Sequence, residues 1–173
     1  MVLSINIYGS KVLRKRAAEV TEVTPELTRF AEDMLETMYQ ANGVGLAAPQ
    51  VGRSIRLIVL DTAPEGEESR PYCIFNPKVI RKEGMCAAEE GCLSVPGVWA
   101  DVERPEIVSV EGLDKDGKPL LLENLSGLLA RCIQHEIDHL DGVLFVDKIS
   151  ATDRSLNESK LKKLTKESKS VPA

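Results

Sequence analysis

Apolar positions recur at the helical period in two segments of the chain. The first begins at Thr24-Pro25, a pair typical of a helix N-cap followed by proline at the first helical position, and ends before Gly43. The second covers residues 125–141 (LSGLLARCIQHEIDHLD). Residues 153–169 are polar with a few leucines, a pattern compatible with a surface helix. The sequence therefore predicts an N-terminal helix, a second helix within residues 125–141, and a C-terminal helix.

Strand-like segments lie between the first two helical patterns. They are short and apolar, β-branched or alternating, at residues 55–61, 72–80, 107–113 and 119–122. Pro77 indicates an edge or an interruption in the second segment. Residues 114–118 (DKDGK) supply turn chemistry, so the last two segments should pair as a hairpin. Strands grouped between terminal helices favour a single α+β domain, with antiparallel or mixed sheets around the helix of residues 125–141.

Composition narrows the class of protein. The 173 residues are 43% hydrophobic and 28% charged, enough for one core without disulfides. Only 4% are aromatic and the net charge is -5, which argues against an extended base-stacking surface and against DNA as a partner. Residues 1–10 lack a secretory pattern and no apolar run is long enough for a membrane span. We therefore expect a cytoplasmic protein without a membrane partner, whose four cysteines stay thiols.

The second helical segment carries the chain's only two histidines, His135 and His139, in the pattern HExxH. A helical projection places both histidines and Glu136 on the apolar side. The opposite side carries Arg131, Gln134, Asp138 and Asp141. Histidines at i and i+4 can bind one cation, and the glutamate can act as general base on water bound to that cation. The alternative is a pair of hydrogen-bonded core histidines.

A third protein ligand must be cysteine, aspartate or glutamate, because no further histidine exists. Phe145 stands where metzincins have their third histidine, which excludes that class. Glu158 lies in a polar segment that is poorly suited to hold a rigid ligand, and Cys132 lies one turn before His135, away from His139. Cys92 lies between glycine and proline residues that favour a sharp backbone path. Spacing alone leaves Cys92 open between a ligand and an inert thiol.

Three motifs together resemble the signature motifs of bacterial peptide deformylases. They are GVGLAAPQ at residues 43–50, EGCLS at residues 90–94 and QHEIDH at residues 134–139. Their order and spacing match, and the resemblance covers about residues 3–150. It implies a metal-dependent hydrolase that removes the formyl group from the N-terminal formyl-methionine of nascent polypeptides and releases formate.

The resemblance also implies roles for individual residues. Cys92, His135 and His139 would be the metal ligands, with water in the fourth position, and Glu136 the general base and acid. Gln50 and the backbone N–H of Leu93 would be oxyanion donors, and Gly45 would bind the substrate backbone. The methionine pocket would be lined by six residues: Val44, Glu90, Leu128, Arg131, Cys132 and His135.

One divalent ion per chain is expected. A Cys-His-His set accepts zinc or iron(II) on ligand chemistry alone. The resemblance implies iron(II), with zinc, nickel or cobalt as replacements. Water on the ion would attack the formyl carbon while Glu136 takes its proton.

Two other classes of function use the same residues. One is a metallopeptidase of another type with the HExxH helix, which would cleave unformylated peptides. The other is a structural metal site or binding module, which would need a fourth protein ligand to close the site.

Charge is divided unevenly along the chain. Residues 154–173 hold six basic and two acidic side chains, a net charge of +4, so the rest of the chain carries -9 and the whole chain -5. We therefore divide the chain into a catalytic metallohydrolase domain, residues 1–150, and a basic polar tail, residues 151–173, that is helical in part. The simplest interpretation is a solvated tail; the alternative is association with the ribosome near the nascent chain.

Overall fold

The computed structural model describes residues 1–170 of the chain. Within them lie seven strands: β1 (Gly45–Ala47), β2 (Leu57–Leu60), β3 (Tyr72–Glu83), β4 (Cys86–Cys92), β5 (Val95–Arg104), β6 (Ile107–Leu113) and β7 (Pro119–Leu125). The same part of the chain forms four α-helices: α1 (Pro25–Gln40), α2 (Gly127–Leu140), α3 (Ala151–Leu156) and α4 (Glu158–Ser170). This architecture confirms the predicted α+β class and its terminal helices.

The strands form two antiparallel sheets. The larger has the order β1-β2-β3-β6-β7, and the smaller is the β4–β5 hairpin. The predicted hairpin of β6 and β7 is present, with Leu113 opposite Pro119. Pro77 lies at a register shift between β3 and β6, which confirms an interruption, although β3 is an inner strand. The β4–β5 hairpin was not predicted, because its first strand (CAAEEGC) has no β-branched residue.

The larger sheet is covered by α1 on one face and α2 on the other. Ile58 and Leu60 of β2 pack in the same cluster as Ile133 and Ile137 of α2. The alternate residues of β2 pack instead with apolar side chains of α1. Burial on both faces explains why β2 is continuously apolar. Helix α2 therefore lies at the centre of the molecule.

Helix α2 is buried on more sides than its projection indicates. Gln134, expected on the open side, is only 7% exposed, and its Nε2 donates to the carbonyl oxygens of Pro105 and Ala130. The chain following β5 covers this face of the helix. A polar side chain can be buried there because backbone carbonyls satisfy its amide.

The C-terminal segment, predicted as a basic tail that is helical in part, forms α3 and α4. Leu161 and Leu164 of α4 are buried in a cluster with Val95, Val98 and Phe145, while the lysines of α4 face outward. Residues 171–173 of the predicted tail lie outside the described residues, and the division of the chain at residue 150 stays a prediction. Within residues 1–170, no helix combines the length and the apolar character needed to cross a bilayer.

Candidate metal centre and active site

Three potential metal ligands meet where the β4–β5 hairpin approaches α2. His135 and His139 lie one turn apart on α2, and their ring centroids are 5.1 Å apart. Cys92 ends β4, directly before the tight turn into β5. Its Sγ lies 3.4 Å from His139 Nε2. One ligand atom from each residue falls within 4.8 Å of the other two.

The separation of Cys92 Sγ and His139 Nε2 matches that of two donor atoms on a single ion. Metal–sulfur and metal–nitrogen bonds of about 2.3 and 2.0–2.1 Å in a tetrahedral site separate their donor atoms by roughly 3.3–3.6 Å. The measured Sγ–Nε2 distance of 3.4 Å is within that range. His135 Nδ1 lies 2.9 Å from a carboxylate oxygen of Glu90, to which it donates, so that Nε2 remains free for an ion. The donor set therefore fits a metal ion held by Cys92, His135 and His139.

Cys132 occupies a different environment. It is buried, and its Sγ donates to the backbone oxygen of Val44 at 3.6 Å. Burial raises the pKa of this thiol well above its usual value. It is therefore held as a neutral thiol beside the site and does not join the three-residue cluster.

Glu136 is 3% exposed and lies beside the ligand cluster, with Oε1 4.0 Å from His135 Nε2. Its Oε2 has no hydrogen-bond partner among residues 1–170. Burial raises the pKa of Glu136 to about 7, while His135 and Arg104 act in the opposite direction. A buried carboxylate with a free oxygen and a pKa near neutrality is suited to accept and return a proton.

Glu90, unlike Glu136, has hydrogen-bond donors for both of its carboxylate oxygens. Its oxygens accept from Arg104, from Arg131 Nη1 at 2.6 Å and from His135. Burial acts to raise the pKa of Glu90, but the bonds from His135 and Arg104 lower it to about 2. Glu90 is thus a fixed anion behind His135. Arg104 lies outside the three sequence motifs and was not predicted as a site residue.

Gln50 presents its amide group toward Cys92. The backbone N–H of Ala47 donates to Oε1 at 2.9 Å, which fixes Nε2 on the other side. Nε2 donates to Ser94 Oγ at 3.0 Å and points at Cys92 Sγ, 3.6 Å away. Leu93 lies between these two residues in the turn that follows β4. Gln50 and Leu93, the two residues that the resemblance implies as oxyanion donors, therefore both lie next to Cys92.

A cavity of about 530 Å³ opens beside the cluster. Eleven of the twelve residues predicted for the site line it: Val44, Gly45, Gln50, Glu90, Cys92, Leu93, Leu128, Arg131, Cys132, His135 and Glu136. His139 lies behind this wall and is fully buried. At Gly45, a Cβ would come within 2.7 Å of both Cys132 Sγ and Glu136 Oε1, so the close approach requires glycine.

Trp99 also lines the cavity and was not predicted. It is 63% exposed, and its ring lies over Gly91, where a Cβ would approach a ring carbon to 2.3 Å. Leu128 and Val44, 54% and 44% exposed, are further apolar side chains on the cavity wall. The cavity thus combines an apolar opening with a polar end at the cluster.

Comparison with known proteins identifies the family. The polypeptide deformylase family model matches residues 2–155. The chain belongs to this family. A peptide deformylase of Thermodesulfovibrio yellowstonii is 48% identical over 161 residues, which cover 93% of this chain and 97% of the relative. The deformylase resemblance predicted from three motifs is therefore confirmed.

Solved deformylase structures have the same fold. The peptide deformylase of Thermus thermophilus matches with a TM-score of 0.89 and 43% identity, covering 96% of this chain and 99% of the other. The Legionella pneumophila enzyme matches with a TM-score of 0.87 and 42% identity, covering 99% and 100%. Deformylases are metal-dependent enzymes that hydrolytically remove N-formyl groups from nascent peptides.

Proposed function

We propose that this deformylase removes the formyl group from N-terminal formyl-methionine and releases formate, using an ion held by Cys92, His135 and His139. The observation that carries the proposal is the three-residue cluster, whose donor atoms lie within 4.8 Å of one another. Beside it lies Glu136 Oε2, which has no hydrogen-bond partner among residues 1–170. Three protein ligands leave one position open, as in catalytic sites.

We further propose iron(II) as the ion, with zinc, nickel or cobalt as replacements. When bound, the ion supplies a Lewis acid that acidifies water and polarises the formyl oxygen. A Cys-His-His set does not by itself select iron over zinc. The identity of the ion therefore rests on the family resemblance.

Glu136 moves the proton in this proposal. Its carboxylate accepts a proton from the attacking water and returns it to the leaving amine nitrogen of methionine. The buried position of Glu136 beside the ligand cluster, and an oxygen without a partner among residues 1–170, support both steps.

The formyl oxygen would be bound by Gln50 Nε2 and by the backbone N–H of Leu93. Gln50→Ala is expected to lower kcat by about 10²–10³-fold with little change in KM, because a preorganised donor to the developing oxyanion is lost. Steady-state kinetics on a formyl-methionyl peptide measures both constants. A KM effect with unchanged kcat would assign Gln50 to substrate binding instead.

The methionine side chain would enter the apolar part of the cavity beside Val44, Leu128 and Cys132, with Gly45 bonded to the substrate backbone. Glu90 and Arg131 would close the polar side of this pocket. The guanidinium of Arg131 already donates to Glu90 and to the carbonyl oxygens of Val102 and Cys86. Its charge is thereby occupied, which leaves its aliphatic part to face methionine.

Three matched peptides test the proposed substrate. The iron(II)-loaded protein should release formate from a formyl-methionyl peptide and leave the same peptide intact when its N-terminus is free or acetylated. Cleavage of a peptide bond in the unformylated substrate would indicate a metallopeptidase. Absence of any turnover by fully loaded protein would indicate a structural site.

Ribosome association of the basic tail stays a separate proposal. Deleting the tail would uncover the core that Leu161 and Leu164 cover, so substitution of exposed lysines is the better test. Lys162, Lys163 and Lys166 are exposed on α4. Replacing all three with glutamine should weaken ribosome binding in cosedimentation at low salt. Equal binding of the variant and the parent protein would contradict the proposal.

A further inference from the structure

One buried arginine joins the two elements that carry the proposed ligands. Arg104, at the end of β5, is 2% exposed. Its Nε and Nη2 donate to the two oxygens of Glu90 at 2.6 and 2.9 Å, and its Nη1 donates to Asp138 Oδ2 at 2.8 Å. The guanidinium thus holds two carboxylates from two different elements.

Each of these carboxylates lies close in sequence to a proposed metal ligand. Glu90 lies on β4, two residues before Cys92. Asp138 lies on α2, between His135 and His139. Arg104 therefore connects the cysteine-bearing hairpin to the stretch of helix that carries both histidines. A planar guanidinium fixes the direction of both bonds, which a flexible ammonium group does not.

The same network reaches a ligand directly. Glu90 Oε1 binds both Arg104 Nη2 and His135 Nδ1, the latter at 2.9 Å. A change at Arg104 therefore acts on the carboxylate that orients the imidazole of His135. Outer partners of this kind set the ring orientation of metal-binding histidines.

We propose that Arg104 and Asp138 form a positioning pair that sets the spacing between Cys92 and the two histidines, and thereby how tightly the chain holds its ion. This inference rests on the proposed ligand set. Arg131 makes a second bridge from α2 to the hairpin, one turn before His135. Because that bridge remains, loss of the Arg104–Asp138 contact should alter the ligand spacing without detaching the hairpin.

Asp138 offers a matched pair of variants. Its Oδ2 also accepts from Lys148 Nζ at 2.9 Å, and Asp138 and Lys148 line a separate groove of about 920 Å³ on the far side of α2. Asp138→Ala removes the contact with Arg104, and the groove admits water to the vacated position. Lys148→Ala removes the other partner of Asp138 and leaves Arg104 bound. Arg104→Lys keeps the charge but cannot hold both carboxylates with a fixed fork.

The test uses Co²⁺-loaded protein without substrate. We expect Asp138→Ala and Arg104→Lys to lower Co²⁺ affinity on the order of 10–100-fold, measured by competition with a chelator. Both should also shift the thiolate-to-cobalt absorption band. Lys148→Ala should match the parent protein in affinity and spectrum. With chelator present, urea midpoints of Asp138→Ala and Lys148→Ala should agree.

Other results would contradict either the positioning role or the proposed ligand set. Parental affinity and spectrum in Asp138→Ala and Arg104→Lys overturn the positioning role. An equal loss of Co²⁺ affinity in Lys148→Ala would show that Asp138 contributes only to general stability. The same conclusion would follow if Asp138→Ala lost affinity together with a lower urea midpoint and without a spectral shift. If the parent protein binds no Co²⁺, or Cys92→Ala binds it equally with the same spectrum, the proposed ligand set itself fails.

Discussion

Glu136→Gln should lower formate release from a formyl-methionyl peptide by about 10²–10⁴-fold, the usual contribution of a general acid–base group. Glutamine keeps the volume of the buried side chain but cannot take a proton from water. The parent carboxylate has a pKa of about 7 and an oxygen without a partner among the described residues. Formate release by the iron(II)-loaded variant, measured without oxygen, gives the size of the effect.

The control for this variant is Glu123→Gln, an identical change at an exposed position of β7. It should retain parental activity. Metal content of Glu136→Gln should stay at one ion per chain, because Glu136 is not in the ligand cluster. Near-parental activity in a fully loaded Glu136→Gln protein would remove Glu136 from the mechanism.

Cys92→Ala should eliminate both tight metal binding and activity. A missing ligand leaves two histidines, and the loss should exceed the roughly 10–100-fold effect typical of an outer partner. Metal analysis after gel filtration should show less than one ion per chain, and added iron(II) should not restore the parental rate. The measurement compares bound metal and formate release in the same sample.

Cys86→Ala provides the matched control, since Cys86 is an exposed thiol outside the cluster. It should bind metal and release formate as the parent does. If Cys92→Ala retained a full ion, the third ligand would have to be sought elsewhere, and the tight turn at Cys92 would have only a structural role.

The helical period predicted the element that carries the chemistry almost to its ends. Residues 125–141 were predicted and α2 covers Gly127–Leu140, because its buried positions are mainly apolar. The two histidines and Glu136 share the buried side, as their spacing indicates. Because the sequence has no third histidine, the third ligand had to be a cysteine, aspartate or glutamate, and the structure places Cys92 within the cluster.

The opposite face of α2 could not be predicted in the same way. A projection by hydrophobicity assigns Gln134, Asp138 and Arg131 to water. In the structure, Gln134 donates to the carbonyl oxygen of Pro105, Asp138 accepts from Arg104, and Arg131 donates to Glu90. These partners lie in the β4–β5 hairpin or directly after it. The first strand of that hairpin has no strong strand pattern, so neither the hairpin's cover of the helix nor the role of Arg104 was visible. Polar burial depends on tertiary partners, which local pattern does not encode.

The most direct measurement is a titration of metal-free protein with iron(II) under anaerobic conditions, with formate release from a formyl-methionyl peptide followed at each step. The proposal predicts a rate that rises in proportion to bound iron and stops rising at one ion per chain in the parent protein. Cys92→Ala should show no such rise. A parental rate that is independent of bound iron, or a fully loaded parent protein that releases no formate, would contradict the account.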